Sequence, residues 1–252
     1  MTERVQSNLE RMIPELEDYK DRGIFTSNEL QKIISTRKKH EFRLQRLDKK
    51  LLDIMRYIES ETSLEKIRDK RLKKMNVDPS LYDRKISERV VELYKNALYR
   101  FNDKNIITHF AEYATRKRLF VEMKQVFANF CLKHPLDIDL WIFCASKLFE
   151  IDDVDSSRAM FLKGIRINQN DMRLRVEFFR MEILYIGKIN MINKEMGIDD
   201  DDKDEVEKGD IAFNIFLDSL ETFQDINLLS EMIELSKNVK EVNDRITECL
   251  NR

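Results

Sequence analysis

Apolar residues recur at intervals of three and four along most of the chain, the period of an amphipathic helix. The first such stripe consists of Val5, Leu9, Met12, Leu16 and Tyr19. Gly23 follows it and can end a helix by adopting a left-handed conformation. The pattern predicts one N-terminal helix that ends near this glycine.

A second, longer helix is predicted from about residue 26. Thr26 and Glu29 are spaced as in a capping box, and Phe25 and Leu30 as in the accompanying hydrophobic staple. The stripe that follows contains Leu30, Ile33, Arg37, Glu41, Leu44, Leu47, Leu51, Ile54 and Ile58. It keeps the helical period but is polar in its middle. The segment 77–79, which ends in proline, should terminate this helix.

Beyond residue 79 the pattern repeats. The segments 107–110, 141–144 and 175–178 align at a constant offset of 34 residues. This period is typical of helical hairpins, which must stack on their neighbours to bury both faces. The expected packing positions are Phe110, Phe127, Trp141, Phe161 and Phe178. The chain is therefore predicted to be a superhelical solenoid of helical hairpins preceded by long N-terminal helices.

Two segments are expected on this basis: an N-terminal helical segment at 1–79 and a repeat solenoid at 80–252. The solenoid is interrupted at about 187–210. Between residues 195 and 210 there are nine acidic residues and two lysines, with almost no apolar periodicity. Such a composition cannot bury enough apolar surface to offset the entropy of ordering, so an acidic disordered loop is predicted here.

Composition supports the all-α prediction. Hydrophobic residues make up 42% of the chain, and there are only 5 glycines and 3 prolines among 252 residues. Turn-rich β folds need more of these residues than the chain supplies. The net charge of −2 provides no overall attraction for nucleic acid or a membrane surface.

The charge is nevertheless unevenly distributed. Between residues 36 and 74 there are 14 basic and 7 acidic residues. Lys39, Arg43, Arg46 and Lys50 are spaced to share one helix face, which could contact a protein partner or RNA phosphates. The alternative is a solvated helix face, which the interleaved acidic residues and the missing aromatic stacking partners favour.

No residue pattern indicates catalysis. The histidines (His40, His109, His134) lie in separate elements without metal-ligand spacing, and no phosphate-binding glycine loop is present. The cysteines (Cys131, Cys144, Cys249) are odd in number, which favours a reducing compartment. No apolar stretch approaches the roughly 20 residues that span a bilayer. We therefore predict a non-enzymatic, intracellular protein without cofactor, metal or membrane partner.

Several motifs resemble a known family. Segments 139–144 and 157–162 look like one half-a-tetratricopeptide (HAT) unit, and 177–182 like the start of the next. The N-terminal segments 11–17, 22–26 and 38–46 resemble, in order and spacing, the opening of the U-three small nucleolar RNA-associated protein six family. Family members are usually longer, so the resemblance implies a shortened member or a fragment.

The resemblance implies a scaffold in the UTP-B subcomplex of the small-subunit processome, the nucleolar snoRNP that processes pre-rRNA. The implied partners are the β-propeller proteins of that subcomplex, with pre-rRNA or snoRNA nearby in the particle. Two alternatives stay open. One is a HAT-repeat scaffold of another RNA-processing complex, in splicing or mRNA 3′-end processing. The other is an RNA-binding protein that uses its basic N-terminal helix.

Overall fold

The computed structural model describes residues 2–101, 103–196, 209–223 and 226–251. In these ranges the regular structure is entirely helical, so the all-α prediction is confirmed, and the helices pack in consecutive pairs. The helices are α1 (Thr2–Glu10), α2 (Ile13–Asp21), α3 (Ser27–Leu44), α4 (Leu51–Met75), α5 (Lys85–Arg100), α6 (Lys104–Lys117), α7 (Phe120–Lys133), α8 (Ile138–Glu150), α9 (Val154–Ile167), α10 (Met172–Met196), α11 (Asp210–Phe223), α12 (Ile226–Ser236) and α13 (Lys240–Leu250). A short 3₁₀ turn, Leu81–Arg84, precedes α5.

The N-terminal stripe forms two helices, α1 and α2, so the prediction of one helix is wrong. The chain turns at Arg11 and Met12, and Pro14 lies in the first turn of α2. Proline is accepted there but would break a continuous helix. Gly23 has a φ of +66°, as its predicted role at the end of the helix requires.

The second long stripe is also divided, into α3 and α4. Its predicted start is confirmed: the amide of Glu29 donates to the hydroxyl of Thr26, and the amide of Thr26 donates to the Glu29 carboxylate at 2.8 Å. The prediction of one continuous helix is wrong. Nε of Arg37 lies 2.8 Å from the carboxylate of Glu61, 24 residues later. A straight helix would separate these residues by about 36 Å, so the chain must fold back between them.

The chain forms two compact units, residues 1–122 and 123–252. This division differs from the sequence boundary at residue 79. Helix α5 packs against α4, and Arg89 of α5 hydrogen-bonds to both Glu15 and Glu61. These contacts hold residues 85–100 in the first unit.

The aromatic residues expected at packing positions are all buried: Phe110 in the first unit, and Phe127, Trp141, Phe161 and Phe178 in the second. The indole N–H of Trp141 donates to the carbonyl of Pro135 at 2.9 Å. A Cβ atom on Gly164 would lie 3.3 Å from the Trp141 ring, so this glycine lets α9 approach α8 closely. The rings of Phe161 and Phe178 stack with centroids 5.2 Å apart.

Helix α10 continues to Met196, so the prediction of a disordered loop is wrong for residues 187–196. Ile186 and Asn193, two helical turns apart, are both buried on one side of this helix. Gly187 lies in its interior, and one glycine costs a helix only about 1 kcal/mol. The remainder of the predicted loop, 197–208, lies outside the described residues, and α11 begins at Asp210.

Candidate functional site

The four basic residues singled out from the sequence do not share one helix. Lys39 and Arg43 lie in α3, Arg46 lies in the link after it, and Lys50 is the N-cap of α4. The predicted single basic face is therefore wrong, because α3 ends at Leu44. Lys39 is exposed on α3 and is not among the residues that line the depression beside this helix's C-terminal end, to which Arg43 belongs.

The fold back between α3 and α4 leaves a cleft of about 490 Å³ in the first unit, which we call the α3–α5 cleft. Its floor is apolar, formed by Met12, Leu44, Ile54 and Leu93. Two of the predicted basic residues, Arg43 and Lys50, line it, together with Lys49, Arg100 and Arg11. The structure thus brings Arg43 and Lys50, two of the predicted basic residues, together with Arg100 from α5.

Helix α5 forms one long wall of the cleft. The lining residues of α5 follow the helical period: Lys85, Glu88, Arg89, Glu92, Leu93, Asn96 and Arg100. The stretch from Lys85 to Arg100 rises about 22 Å along the helix. Acidic and basic groups therefore alternate along this wall, with Arg100 at its C-terminal end.

A shallower groove adjoins that end of the cleft. Gln45, Lys49 and Arg100 line both depressions, and Arg46 and Phe101 line only the groove. Leu47, which is 97% exposed, also lies there. Arg46 therefore belongs to the same basic surface as Arg43, although not through a shared helix face.

Beneath the cleft lies a buried ion-pair network, formed by Glu15 of α2, Arg37 of α3, Glu61 of α4 and Arg89 of α5. Arg37 contacts Glu15 at 2.9 Å and Glu61 at 2.8 Å. Arg89 contacts the same carboxylates at 2.6 and 2.9 Å. Two cations and two anions thus balance in the interior, with at most 2% of the Glu15, Arg37 and Glu61 side chains exposed.

The network stabilises the charged forms of Glu15 and Arg37. Burial by itself would raise the pKa of Glu15, but the charges of Arg37 and Arg89 outweigh it and hold that pKa below its ordinary value. Burial opposes the charge of Arg37 as well, and Glu61 and Glu15 nevertheless raise its pKa. Each charge is therefore stabilised only by its partners, so the network is a rigid connection between four helices.

A second polar cluster, separate from the network, lies at the cleft and centres on Glu41. Glu41, which lines the cleft, accepts hydrogen bonds from the Tyr57 hydroxyl at 3.1 Å and from the Asn8 amide at 2.9 Å. His40 stacks on Tyr57 with ring centroids 4.8 Å apart. Burial and the charge of Arg43 lower the pKa of His40. This arrangement orients the end of α3 and hence Arg43.

Several cations of the cleft have few partners, whereas Arg89 on its wall and other arginines of the same unit are paired. Carboxylates pair with Arg22, Arg37, Arg68, Arg71 and Arg89. Among the described residues, Arg43, Arg46 and Lys49 make no side-chain hydrogen bond or ion pair. Lys50 is 3.7 Å from the exposed Asp48, and Arg100 is 3.5 Å from an oxygen of Asn96. The positive charges at these five basic positions (Arg43, Arg46, Lys49, Lys50 and Arg100) are therefore available to a binding partner.

Sequence reasoning missed Arg89 and Arg100 as functional candidates and did not anticipate the network. The available signal was the polar middle of the α3 stripe, where Arg37 and Glu41 occupy positions that the helical period assigns to the core. Charged residues at core positions imply buried partners of opposite charge. The identity of those partners depends on how α2, α4 and α5 pack, which periodicity does not show.

The described ranges contain no cluster of histidine, cysteine or acidic residues that could hold a metal ion. Cys131 and Cys144 are both buried in the second unit, and burial raises the pKa of the Cys144 thiol. In the same ranges, no helix is both long and apolar enough to cross a bilayer. The α3–α5 cleft is thus the site with the clearest geometry.

Sequence comparisons agree with the resemblance seen in the N-terminal motifs. Residues 9–94 match the family model described as U3 small nucleolar RNA-associated protein 6. This range contains the whole buried ion-pair network and all the lining residues of the cleft except Asn8, Asn96 and Arg100.

The chain is also similar to curated proteins of that name. It is 31% identical to U3 small nucleolar RNA-associated protein 6 of Schizosaccharomyces pombe over 193 residues, which cover 75% of this chain and 40% of the relative. It is 25% identical to the Homo sapiens homolog over 267 residues, covering 97% of this chain and 44% of the relative. The chain thus spans less than half the length of these relatives. It belongs to the U3 small nucleolar RNA-associated protein 6 family.

Proposed function

We propose that this chain is a non-enzymatic scaffold of the small-subunit processome. It acts in nucleolar pre-rRNA processing and in maturation of the small ribosomal subunit, through protein–protein contacts. The observation that supports this most directly is the match of residues 9–94 to the family model, together with relatives named for association with U3 small nucleolar RNA.

The helical architecture suits such a role. Paired helices present long exposed faces, and the network of Glu15, Arg37, Glu61 and Arg89 keeps the helices of the first unit in one arrangement. A scaffold needs a surface whose geometry is set before its partners arrive. Superhelical stacking of the hairpins, as the 34-residue period predicts, is part of this proposal.

The proposed partners are the β-propeller proteins of the UTP-B subcomplex, in a particle that also contains pre-rRNA and snoRNA. Direct contact with RNA through Lys39, Arg43, Arg46 and Lys50 is a second candidate. It is supported by the unpaired state of Arg43 and Arg46 among the described residues. A HAT-repeat scaffold in splicing or mRNA 3′-end processing is the alternative from the same structural class.

Affinity purification from native cells at low salt tests the proposal, with the copurifying RNA identified by hybridisation. We expect U3 small nucleolar RNA and unprocessed pre-rRNA to be enriched, and depletion of the protein to reduce mature small-subunit rRNA. Enrichment of spliceosomal RNAs or of 3′-end processing factors instead would support the alternative. RNA binding by the purified protein alone, with a steep salt dependence, would support the RNA-binding function.

A further inference from the structure

We infer that the α3–α5 cleft is a docking site for an acidic, amphipathic peptide segment of a protein partner. The inference deepens the proposed scaffold function and rests on it only in requiring a protein partner. Three features of the cleft support it: an apolar floor, unpaired cations at one end, and carboxylates along the wall.

The floor requires apolar side chains from the ligand. Met12, Ile54 and Leu93 are nearly buried, whereas Leu44 is half-buried at the edge. A side chain of leucine or phenylalanine size that covers this floor removes apolar surface from water on both partners. A ligand that offers only charge would leave the exposed part of Leu44 in contact with solvent.

The cations define the second feature. Lys49 and Arg100 line both the cleft and the adjoining groove, and Arg43 lines the cleft. Arginine presents a planar fork that binds carboxylates in a bidentate manner. Because Arg43 and Lys49 have no acidic partner in the described part of the unit, carboxylates of a ligand can pair with them without displacing an existing ion pair.

The carboxylates of the wall distinguish a peptide from RNA. Glu88 and Glu92 line the α5 side of the cleft, and Glu41 and Asp53 also line it. A phosphodiester chain carries a negative charge at every nucleotide, so it would place phosphates beside these acidic groups. A peptide can concentrate its acidic residues at the Arg100 end and present neutral residues beside Glu88 and Glu92.

The dimensions and hydrogen-bonding groups also suit a peptide. The α5 wall is about 22 Å long, which an extended chain covers with about seven residues. The side-chain amides of Asn8, Gln45 and Asn96 line the cleft. Amides both donate and accept, so they can bind the N–H and C=O groups of a peptide backbone.

Selection from a phage-displayed library of random peptides, with the purified full chain as bait, provides the test. We expect enriched sequences that combine aspartate or glutamate with leucine or phenylalanine. Synthetic peptides of these sequences, labelled with fluorescein, are then titrated by fluorescence polarisation. The R43E/R100E variant should weaken binding at least tenfold, and L44S should also weaken it.

Matched controls separate the cleft from general charge and hydrophobicity. The K38E/K39E variant makes the same charge change on exposed residues outside the cleft, and L52S changes an exposed leucine outside it. Both should bind like the wild type, and circular dichroism melting should show that all variants are folded. A photo-crosslinking amino acid in place of the exposed Asn96 should capture the peptide as a covalent adduct. Excess unlabelled peptide should suppress this adduct. The crosslinking result is informative even if a charge variant misfolds.

Several outcomes would overturn the inference. One is the absence of acidic sequences among the enriched peptides, and another is equal loss of binding in the K38E/K39E control. Tight binding of a uridine oligonucleotide that is lost in R43E/R100E, with no peptide binding, would make the cleft an RNA site. If the chain still copurifies with U3 small nucleolar RNA in those cases, the cleft inference fails while the proposed function stands.

Discussion

Arg37 and Glu61 form a two-part contact in the interior of the first unit: Nε lies 2.8 Å from one carboxylate oxygen and Nη2 lies 2.9 Å from the other. The two residues come from different helices and are almost completely buried. Their contact requires α3 and α4 to fold back on each other. The same fold back places Arg43 and Lys50 at the α3–α5 cleft, so an interior ion pair determines the position of surface charges.

Replacing Arg37 by methionine should lower the free energy of unfolding by about 3–5 kcal/mol, because Glu15 and Glu61 then share a single cation in a buried environment. Urea denaturation followed by circular dichroism measures the change. The K39M variant, on the exposed side of the same helix, serves as the control and should change stability little. Equal stability of R37M and the wild type would contradict the structural role assigned to the network.

The pair of Glu29 and Arg71 should give a pH-dependent contribution to stability. Hydrogen bonds from Arg71 and from the backbone of Thr26 lower the pKa of Glu29 from 4.5 to about 2. A carboxylate whose pKa is depressed by folding contributes its full stabilisation above the unfolded value and loses it as pH falls. The stability difference between the wild type and E29Q should therefore be constant above pH about 5 and vanish as the pH approaches about 2.

Unfolding midpoints of both proteins, measured across this pH range, test the prediction. The E10Q variant serves as the control, because its carboxylate is on the surface and accepts only a side-chain amide bond from Gln6. A difference between the wild type and E29Q that stays constant down to pH about 2 would show that folding does not lower the pKa of Glu29, and would contradict the role of its contact with Arg71.

Trp141 is expected to be a major determinant of stability in the second unit. It is 1% exposed, and its indole N–H is bonded to Pro135. W141A should destabilise the protein by about 3–5 kcal/mol, since it creates a large cavity between α8 and α9. L136A, at a leucine that is 78% exposed, should leave the melting temperature nearly unchanged. An unaltered melting temperature in W141A would be incompatible with a packing role.

Two glycines should respond to alanine in opposite directions. Gly187 lies inside α10, and no neighbouring atom would meet a Cβ within 4 Å. G187A should therefore stabilise the protein by up to about 1 kcal/mol. G23A should destabilise it, because Gly23 has a φ of +66°. Thermal unfolding of both variants measures the effects. A destabilised G187A would argue against a helix at that position and would favour the loop that the sequence predicts.

The parts of the fold that were correctly predicted rest on short-range chemistry. Thr26 and Glu29 form their capping box within four residues, and Gly23 supplies the left-handed conformation at its own position. The division between α3 and α4 could not be predicted in the same way. Residues 45–50 contain neither glycine nor proline, and the break is stabilised by the distant contact of Arg37 with Glu61.

The candidate site, like the break between α3 and α4, could be predicted from the sequence only in part. Arg43 and Lys50 were identified by their spacing, but the spacing placed them on a helix face that does not exist. Arg100 joins them only because α5 packs against α4. The apolar floor beneath them likewise combines residues from separate helices. The sequence shows which residues are charged and which are apolar. It does not show which of them long-range packing brings together, because such a grouping has no periodic spacing along the chain.

The four residues of the ion-pair network come from four successive helices, and this order affects how the first unit folds during synthesis. Glu15, Arg37 and Glu61 leave the ribosome before Arg89, so a nascent chain that ends at α4 has two carboxylates and one guanidinium to bury. Charge balance is reached only when α5 has emerged. The first unit should therefore remain an incomplete, chaperone-accessible intermediate until translation has passed α5, and only then collapse cooperatively into its final packing.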